Sequence, residues 1–323
     1  MIANLYLHPQ SFVYNQVDNK DFVISKLRNL VDDMTTIVYD YSDENIFKIP
    51  SALWNVEVFE GMTICDLAEE GLENDAKGVF YSMMADTSSD YDVFSYEELK
   101  EKCKYGPDED EINTILVFNV SEETQQSAVK NNYITFDSYE IVYNKMSWLY
   151  LRRQILGNHP CDSDFFVSEC RKYFPNICFH DNCISTLIDD DFNYLEIIPR
   201  KIVYYLSCLN DGFNKIKEKH KSVAPDVNSI LEDFSGMYGL EKPGSREGDP
   251  GKKELLSFSF SLTDESGTKL MLCEPHLKIS VPDSNYKGDN NYKHFNPRIY
   301  FNFGDPEVEH GRILVGSMGK HVE

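Results

Sequence analysis

Residues 241–251, Glu-Lys-Pro-Gly-Ser-Arg-Glu-Gly-Asp-Pro-Gly, separate two kinds of apolar pattern. Their glycines and prolines interrupt regular structure and their charges favour water, so the stretch reads as a linker. After it the period becomes two. In Leu256-Ser-Phe-Ser-Phe-Ser-Leu-Thr263 one face is Leu256, Phe258, Phe260 and Leu262, and the other carries only hydroxyls. That alternation predicts a half-buried antiparallel strand. Asp264-Glu-Ser-Gly267 turns the chain into a strand over Lys269–Cys273, and further strands are expected at His276–Val281, Arg298–Phe303 and Arg312–Gly316. Residues 252–323 are therefore expected to form a separate β-rich module, a meander of four or five strands.

Before the linker the period is mostly that of a helix. Over 137–240, Tyr143, Met146, Leu149, Tyr150 and Ile155 recur at helical spacing, and Ser163 caps a segment carrying Phe166, Cys170 and Phe174. Ile202, Tyr205, Leu206, Leu209 and Phe213 form a stripe behind Pro199, a residue suited to a first turn, and a last helix is expected from Asp226 to Met237. Residues 1–136 read as a mixed α/β domain. Strands are expected at Ile2–Leu7, Thr36–Tyr41 and Ile112–Val120, and helices from Asp18 or Asn19 to Val31 and near 63–71, 74–85 and 95–103, with Ser121 as a further cap. The predicted class is α+β: a mixed α/β N-terminal region, a helical middle, and a C-terminal antiparallel β meander packed on helices. No GxGxxG or P-loop follows any expected strand, so nothing marks a nucleotide site.

The chain carries a net charge of −23, a field that repels nucleic acid unless a local basic patch overrides it. Residues 251–323 nearly balance, with 9 Lys and Arg against 10 Asp and Glu, and hold four of the eight histidines. The excess acid lies before Pro250. The start of the chain lacks a basic, then apolar, leader pattern, and the most apolar run, Ile202–Leu209, is too short to span a bilayer. The expectation is a cytoplasmic protein with free thiols and no membrane partner.

Strand alternation sorts the side chains of the last module. Leu277, Ile279 and Val281 face one way, so His276, Lys278 and Ser280 face the other. Ile299, Phe301 and Phe303 oppose Arg298, Tyr300 and Asn302. If these strands pair, His276, Lys278, Arg298 and Tyr300 share one open surface, and the closing Gly316-Ser-Met-Gly-Lys-His321 brings Lys320 and His321 beside it. Phosphoryl transfer uses these residue types: Lys and Arg stabilise added negative charge, and His or Tyr moves protons. With RNA the 2′-hydroxyl supplies an internal nucleophile, so neither metal nor cofactor is required. The expected catalytic residues are His276, Lys278, Arg298, Tyr300 and His321, with Lys320 and Asn302 binding substrate. The same residues also suit the solvated side of a half-buried sheet.

Other chemistry has weaker support. His159, Cys161, Cys170, Cys178, His180 and Cys183 lie close in sequence but lack the paired CxxC knuckles of a structural zinc site. Cys170 shares a helical face with Phe166 and Phe174, which favours burial. Asp189-Asp-Asp191 lacks calcium-loop spacing, and there is no GxSxG elbow.

Arg298-Ile-Tyr-Phe-Asn-Phe and Arg312-Ile-Leu-Val-Gly-Ser-Met-Gly-Lys-His321 resemble the closing strands of RelE/HigB-type toxins, small bacterial ribonucleases of the barnase–EndoU–colicin–RelE fold group. The resemblance implies an arginine role for Arg298 and a basic or proton-transfer role for Lys320 or His321. It covers about a quarter of the chain. The loop 282–297 and Glu274-Pro-His-Leu-Lys278 depart from that compact pattern. The wider layout resembles bacterial proteins of mobile elements and phage-defence islands. Two functions are thus expected in competition. One is a metal-independent ribonuclease-like effector acting on RNA through the C-terminal module. The other is a non-enzymatic acidic protein, or nucleic-acid mimic, whose N-terminal region binds a basic protein.

Overall fold

The computed structural model describes residues 2–7, 20–37, 41, 45–55, 57–86, 111–116, 141–142, 144–158, 163–181, 183, 197–221, 226–280 and 297–319. The chain forms two compact units, 1–152 and 153–323.

The first unit is built on β1 (Ile2–Leu7), β2 (Asn45–Lys48), β5 (Glu111–Leu116) and β6 (Ile141–Val142), a parallel sheet of order β2-β1-β5-β6. A short antiparallel hairpin, β3 (Glu57–Phe59) and β4 (Met62–Thr63), stands apart from it. Helix α1 (Lys20–Thr35) links β1 to β2, and α2 (Ile64–Gly71) and α3 (Asn74–Asp86) pack with it. Thr63 caps α2 in a reciprocal box: its hydroxyl accepts from the Asp66 amide while the Asp66 carboxylate accepts from the Thr63 amide.

The strand expected at Thr36–Tyr41 is corrected. Val23, Leu27, Val31, Met34 and Ile37 are all buried, so the helical stripe runs on past Val31 and takes Thr36 and Ile37 into the helix end. Burial of Met34 and Ile37 outweighs the β-branched preference of Thr-Thr-Ile-Val. The second strand comes later, at Asn45. There the buried Asn45 amide donates to the Ile37 and Tyr41 carbonyls and accepts from Trp148 Nε1 at 2.9 Å. Residues 95–103 and Ser121 lie outside the described residues.

The second unit holds the five-stranded sheet that positions the site. Its order is β7-β13-β12-β11-β8, from β7 (Ile177–Phe179), β8 (Ser245–Arg246), β11 (Pro275–Lys278), β12 (Arg298–Asn302) and β13 (Ile313–Gly319). Helix α4 (Lys145–Asn158) spans the boundary between the units, followed by α5 (Ser163–Tyr173), α6 (Ile197–His220) and α7 (Val227–Met237). The expected packing of C-terminal strands on helices is present: Phe213 on α6 meets Phe234 on α7 at 5.4 Å and Phe301 on β12 at 5.6 Å, edge to face.

Three sequence expectations change. The antiparallel meander is only β11-β12-β13, because β9 (Ser257–Ser261) and β10 (Thr268–Leu272) pair with each other in a separate two-stranded sheet. The helical middle contributes β7, parallel to β13, so the sheet is mixed and the last module is not separate from it. The expected linker supplies β8, which pairs with β11, and a short helical turn at Pro250–Lys252. Strands of two and three residues carry too little periodicity to be read from sequence.

The β9–β10 hairpin closes the sheet's second face. Leu256, Phe260, Met271 and Cys273 form one buried cluster with Tyr300, Val308 and Leu314, and every residue of β13 is buried. Tyr300 faces Ser317 while Phe301 faces Val315, which leaves Gly316 as the extra residue of a bulge. A Cβ on Gly316 would sit 2.3 Å from Phe258 and 3.0 Å from the Cys273 sulfur. Gly316→Ala is expected to destabilise the protein by about 1–3 kcal/mol through this overpacking; unchanged urea unfolding would contradict the hairpin's position.

Candidate active site

The register of β11 on β12 brings the expected residues together. His276 stands opposite Tyr300 and Lys278 opposite Arg298, so all four project from one face. On the far side of β12, Arg298 faces Gly319, the last described residue of β13. Lys320 and His321 lie outside the described residues.

The face is not open, and this corrects the expectation. His276 is 2% exposed and Tyr300 is 0% exposed. The β9–β10 hairpin packs on Tyr300, and Ser245 of the edge strand β8 meets His276, two pieces whose placement depends on tertiary packing rather than on strand alternation.

His276 is held at both ring nitrogens. Nδ1 is 3.4 Å from the Glu274 carbonyl, which can only accept, so that nitrogen carries the proton. Nε2 then presents its lone pair to the Ser245 hydroxyl at 3.2 Å. The ring packs on Tyr300 with centroids 5.0 Å apart. Burial, reinforced by the nearby Arg298 charge, pushes the imidazole down to about 4, so it is neutral at physiological pH.

Arg298 Nη1 donates to the Glu247 carboxylate at 3.2 Å and to the Tyr300 hydroxyl at 3.1 Å. Both members of the Arg298–Glu247 pair are mostly buried, with side chains 19% and 13% exposed. Arg298 Nε is buried and has no hydrogen-bond partner among the described residues. Lys278 is partly buried, and desolvation followed by the Arg298 charge lowers its pKa. The row therefore joins a neutral base to two cations, with one guanidinium donor still open. Such clustering of perturbed groups is common at functional sites.

Asn302 does something else. Its amide nitrogen donates to the Leu272 carbonyl at 2.9 Å and its oxygen accepts from the Gly304 amide at 3.0 Å, so it ties β10 to β12 instead of facing substrate. Several participants went unread in the sequence: Ser245, Arg246, Glu247, Glu274 and Ser317. Glu274 is 5% exposed and accepts from Arg246 Nε at 2.5 Å. Ser317 is 1% exposed opposite Tyr300. Extending the alternation two residues back from His276 would have found Glu274. Nothing local marks residues 245–247.

Two of the cysteines considered for metal, Cys170 and Cys183, are buried rather than poised: both are 0% exposed, and desolvation raises the Cys183 thiol to about 12. Among the described residues no group of three or more His, Cys, Asp and Glu side chains is placed to hold a metal ion, and no helix is long and apolar enough to cross a membrane. His159, Cys161 and residues 189–191 lie outside the described residues. Comparison with protein-family models, curated proteins and solved structures found no match.

A pH dependence follows from His276. Below its ordinary value of 6.5 the unfolded chain binds the imidazole proton, while the folded chain does not until about 4. Stability is therefore lost as pH falls through that window. Thermal unfolding of the wild type is expected to lose roughly 2 kcal/mol more between neutral pH and about pH 4.5 than that of His276→Gln. Parallel pH profiles would contradict the buried, neutral ring.

Proposed function

We propose that the second unit is a metal-independent ribonuclease-like effector, a toxin or phage-defence component, acting through the row built from His276, Lys278, Arg298 and Tyr300. The observation that carries this reading is the register of β11 on β12, which puts a neutral imidazole beside two cations on one face. The RelE/HigB-type resemblance of the closing strands points to the same chemistry.

In this reading Arg298 and Lys278 hold the phosphate and stabilise the charge that builds on it. His276 Nε2 takes the proton of the 2′-hydroxyl as its oxygen bonds to phosphorus. The bond from phosphorus to the 5′-oxygen breaks, and that oxygen is protonated by the Tyr300 hydroxyl, which Arg298 Nη1 polarises at 3.1 Å. The products are a 2′,3′-cyclic phosphate and a 5′-hydroxyl. Lys320 and His321 follow Gly319, the residue paired with Arg298, in the sequence, and in this reading they take substrate-binding and proton-transfer roles.

The purified wild type is expected to cleave single-stranded RNA in the presence of a chelator. His276→Ala and Arg298→Ala are each expected to lose about 100-fold or more in rate. No cleavage by the wild type, or equal cleavage by all three proteins, would remove the proposal.

A second reading concerns the first unit and rests on its charge. Residues 1–152 hold 11 Lys and Arg against 28 Asp and Glu, and residues 49–76 contain seven acids and no base. Those seven, Glu57, Glu60, Asp66, Glu69, Glu70, Glu73 and Asp75, are all exposed. Lys20 and Lys77 pair with Glu70 and Glu69, which leaves a surplus of negative charge for a basic protein partner. Reversing Glu60, Glu73 and Asp75 to Lys is expected to abolish co-purification of such a partner without changing RNA cleavage. Full retention of partners by the variant would count against it.

A further inference from the structure

The edge strand β8 and the residue after it bring three consecutive side chains to the catalytic row and to Glu274 beside it. Ser245 Oγ lies 3.2 Å from His276 Nε2, Arg246 Nε donates to Glu274 at 2.5 Å, and the Glu247 carboxylate accepts from Arg298 Nη1 at 3.2 Å. A hydroxyl thus occupies the lone pair of the base, and an anion two residues later occupies the phosphate-binding guanidinium. These are the two groups that an RNA strand would present, a ribose hydroxyl and its neighbouring phosphate.

The segment is attached in a way that permits exchange. β8 is the outermost strand and only two residues long. Its partner at one of the two register positions is Pro275, which has no N–H to donate. The Arg246 amide bonds away from the sheet, to the Asn228 side chain at 3.0 Å, and the Gly244 amide bonds to Ser235 Oγ at 2.8 Å. The strap is therefore tethered to α7 independently of the site it covers. Gly248 and Pro250 follow, and a Cβ on Gly248 would meet nothing within 4 Å. A phosphate also has an advantage over the carboxylate. Arg298 Nε is buried without a partner among the described residues, and a tetrahedral anion with more oxygens can take the Nε–Nη2 edge of the guanidinium, whose Nε donor the carboxylate on Nη1 leaves unused.

We propose that residues 245–247 form a built-in substrate mimic that holds the resting site closed, and that a single-stranded RNA opens it by replacing the Ser245 hydroxyl and the Glu247 carboxylate. The proposal rests on the phosphodiester reading of the site and adds its regulation. It accounts for a base and an arginine that are buried in the resting protein yet belong to one row. It also gives the glycine- and proline-rich stretch 241–251 a role as a strap.

The test uses the full chain and a tetraribonucleotide whose bridging 5′-oxygens are replaced by methylene groups, which keeps the 2′-hydroxyls and the anionic phosphorus centres but has no leaving oxygen. Glu247→Gln keeps the shape and removes the competing charge, and it is expected to bind this probe about tenfold more tightly than the wild type. Equal or weaker binding, or no binding by either protein, overturns the mimic. Hydrogen exchange on the wild type gives a second readout that does not depend on the variant folding. The Glu247 amide, which donates to the Glu274 carbonyl at 3.2 Å, is expected to exchange faster with the probe bound; slower or unchanged exchange overturns the proposal. Tighter probe binding by Glu247→Gln without cleavage of ordinary RNA would keep the mimic and remove the ribonuclease reading. Cleavage by the wild type with unaltered probe binding would do the reverse.

Discussion

A charge buried in a sheet covered on both faces must be answered by another group of the same protein. Arg298 sits in such a sheet, and its guanidinium is answered by Glu247, the residue after β8, and by the hydroxyl of Tyr300 from its own strand. Removing the Glu247 carboxylate would take the counter-charge from a mostly buried cation, which costs more than an exposed ion pair contributes. The arrangement of β8, β11 and β12 follows from that requirement. β8 has to lie against β11 for Glu247 to reach Arg298, and Ser245 then falls on His276. The aromatic packing of α6 and α7 behind the sheet fixes the platform on which this polar row is built.

Much of this row was legible because side-chain direction in a strand depends only on parity. Once Leu277 and Ile299 were placed on the apolar side, His276, Lys278, Arg298 and Tyr300 had to share the other, and the observed register joins them pairwise. The positions of β9, β10, β12 and β13 followed from the same alternation. Whether the polar side is wet depends instead on which segment lies over it. The hydroxyls of Ser257, Ser259 and Ser261 correctly implied that one side of β9 faces outward, but did not reveal that its other side covers Tyr300. Asn302 shares the parity of Tyr300 and was assigned to substrate on that ground; its amide is used within the fold because the hairpin's Leu272 carbonyl comes within reach.

The misread stretches share a cause. In residues 241–251, Pro and Gly do mark the ends of regular structure, yet two residues between them pair with β11, and no pattern rule detects a strand of that length. At Thr36–Tyr41 the β-branched composition was a weaker guide than the spacing of Val31, Met34 and Ile37, which continues the helix. In the first unit, strands separated by helices marked a mixed α/β region, while the parallel pairing, the place of β2 and the strand order come only from tertiary structure.

The central claim is that Arg298 and Glu247 depend on each other inside this sheet. A double-mutant cycle in unfolding free energy, using Arg298→Met, Glu247→Gln and the pair together, measures that dependence directly. The account predicts a coupling of about 1–3 kcal/mol, because each single change deprives a mostly buried charge of this counter-charge and the double change removes both charges. Additive effects within about 0.5 kcal/mol would contradict it, since the two residues would then not share the closed interior described for them.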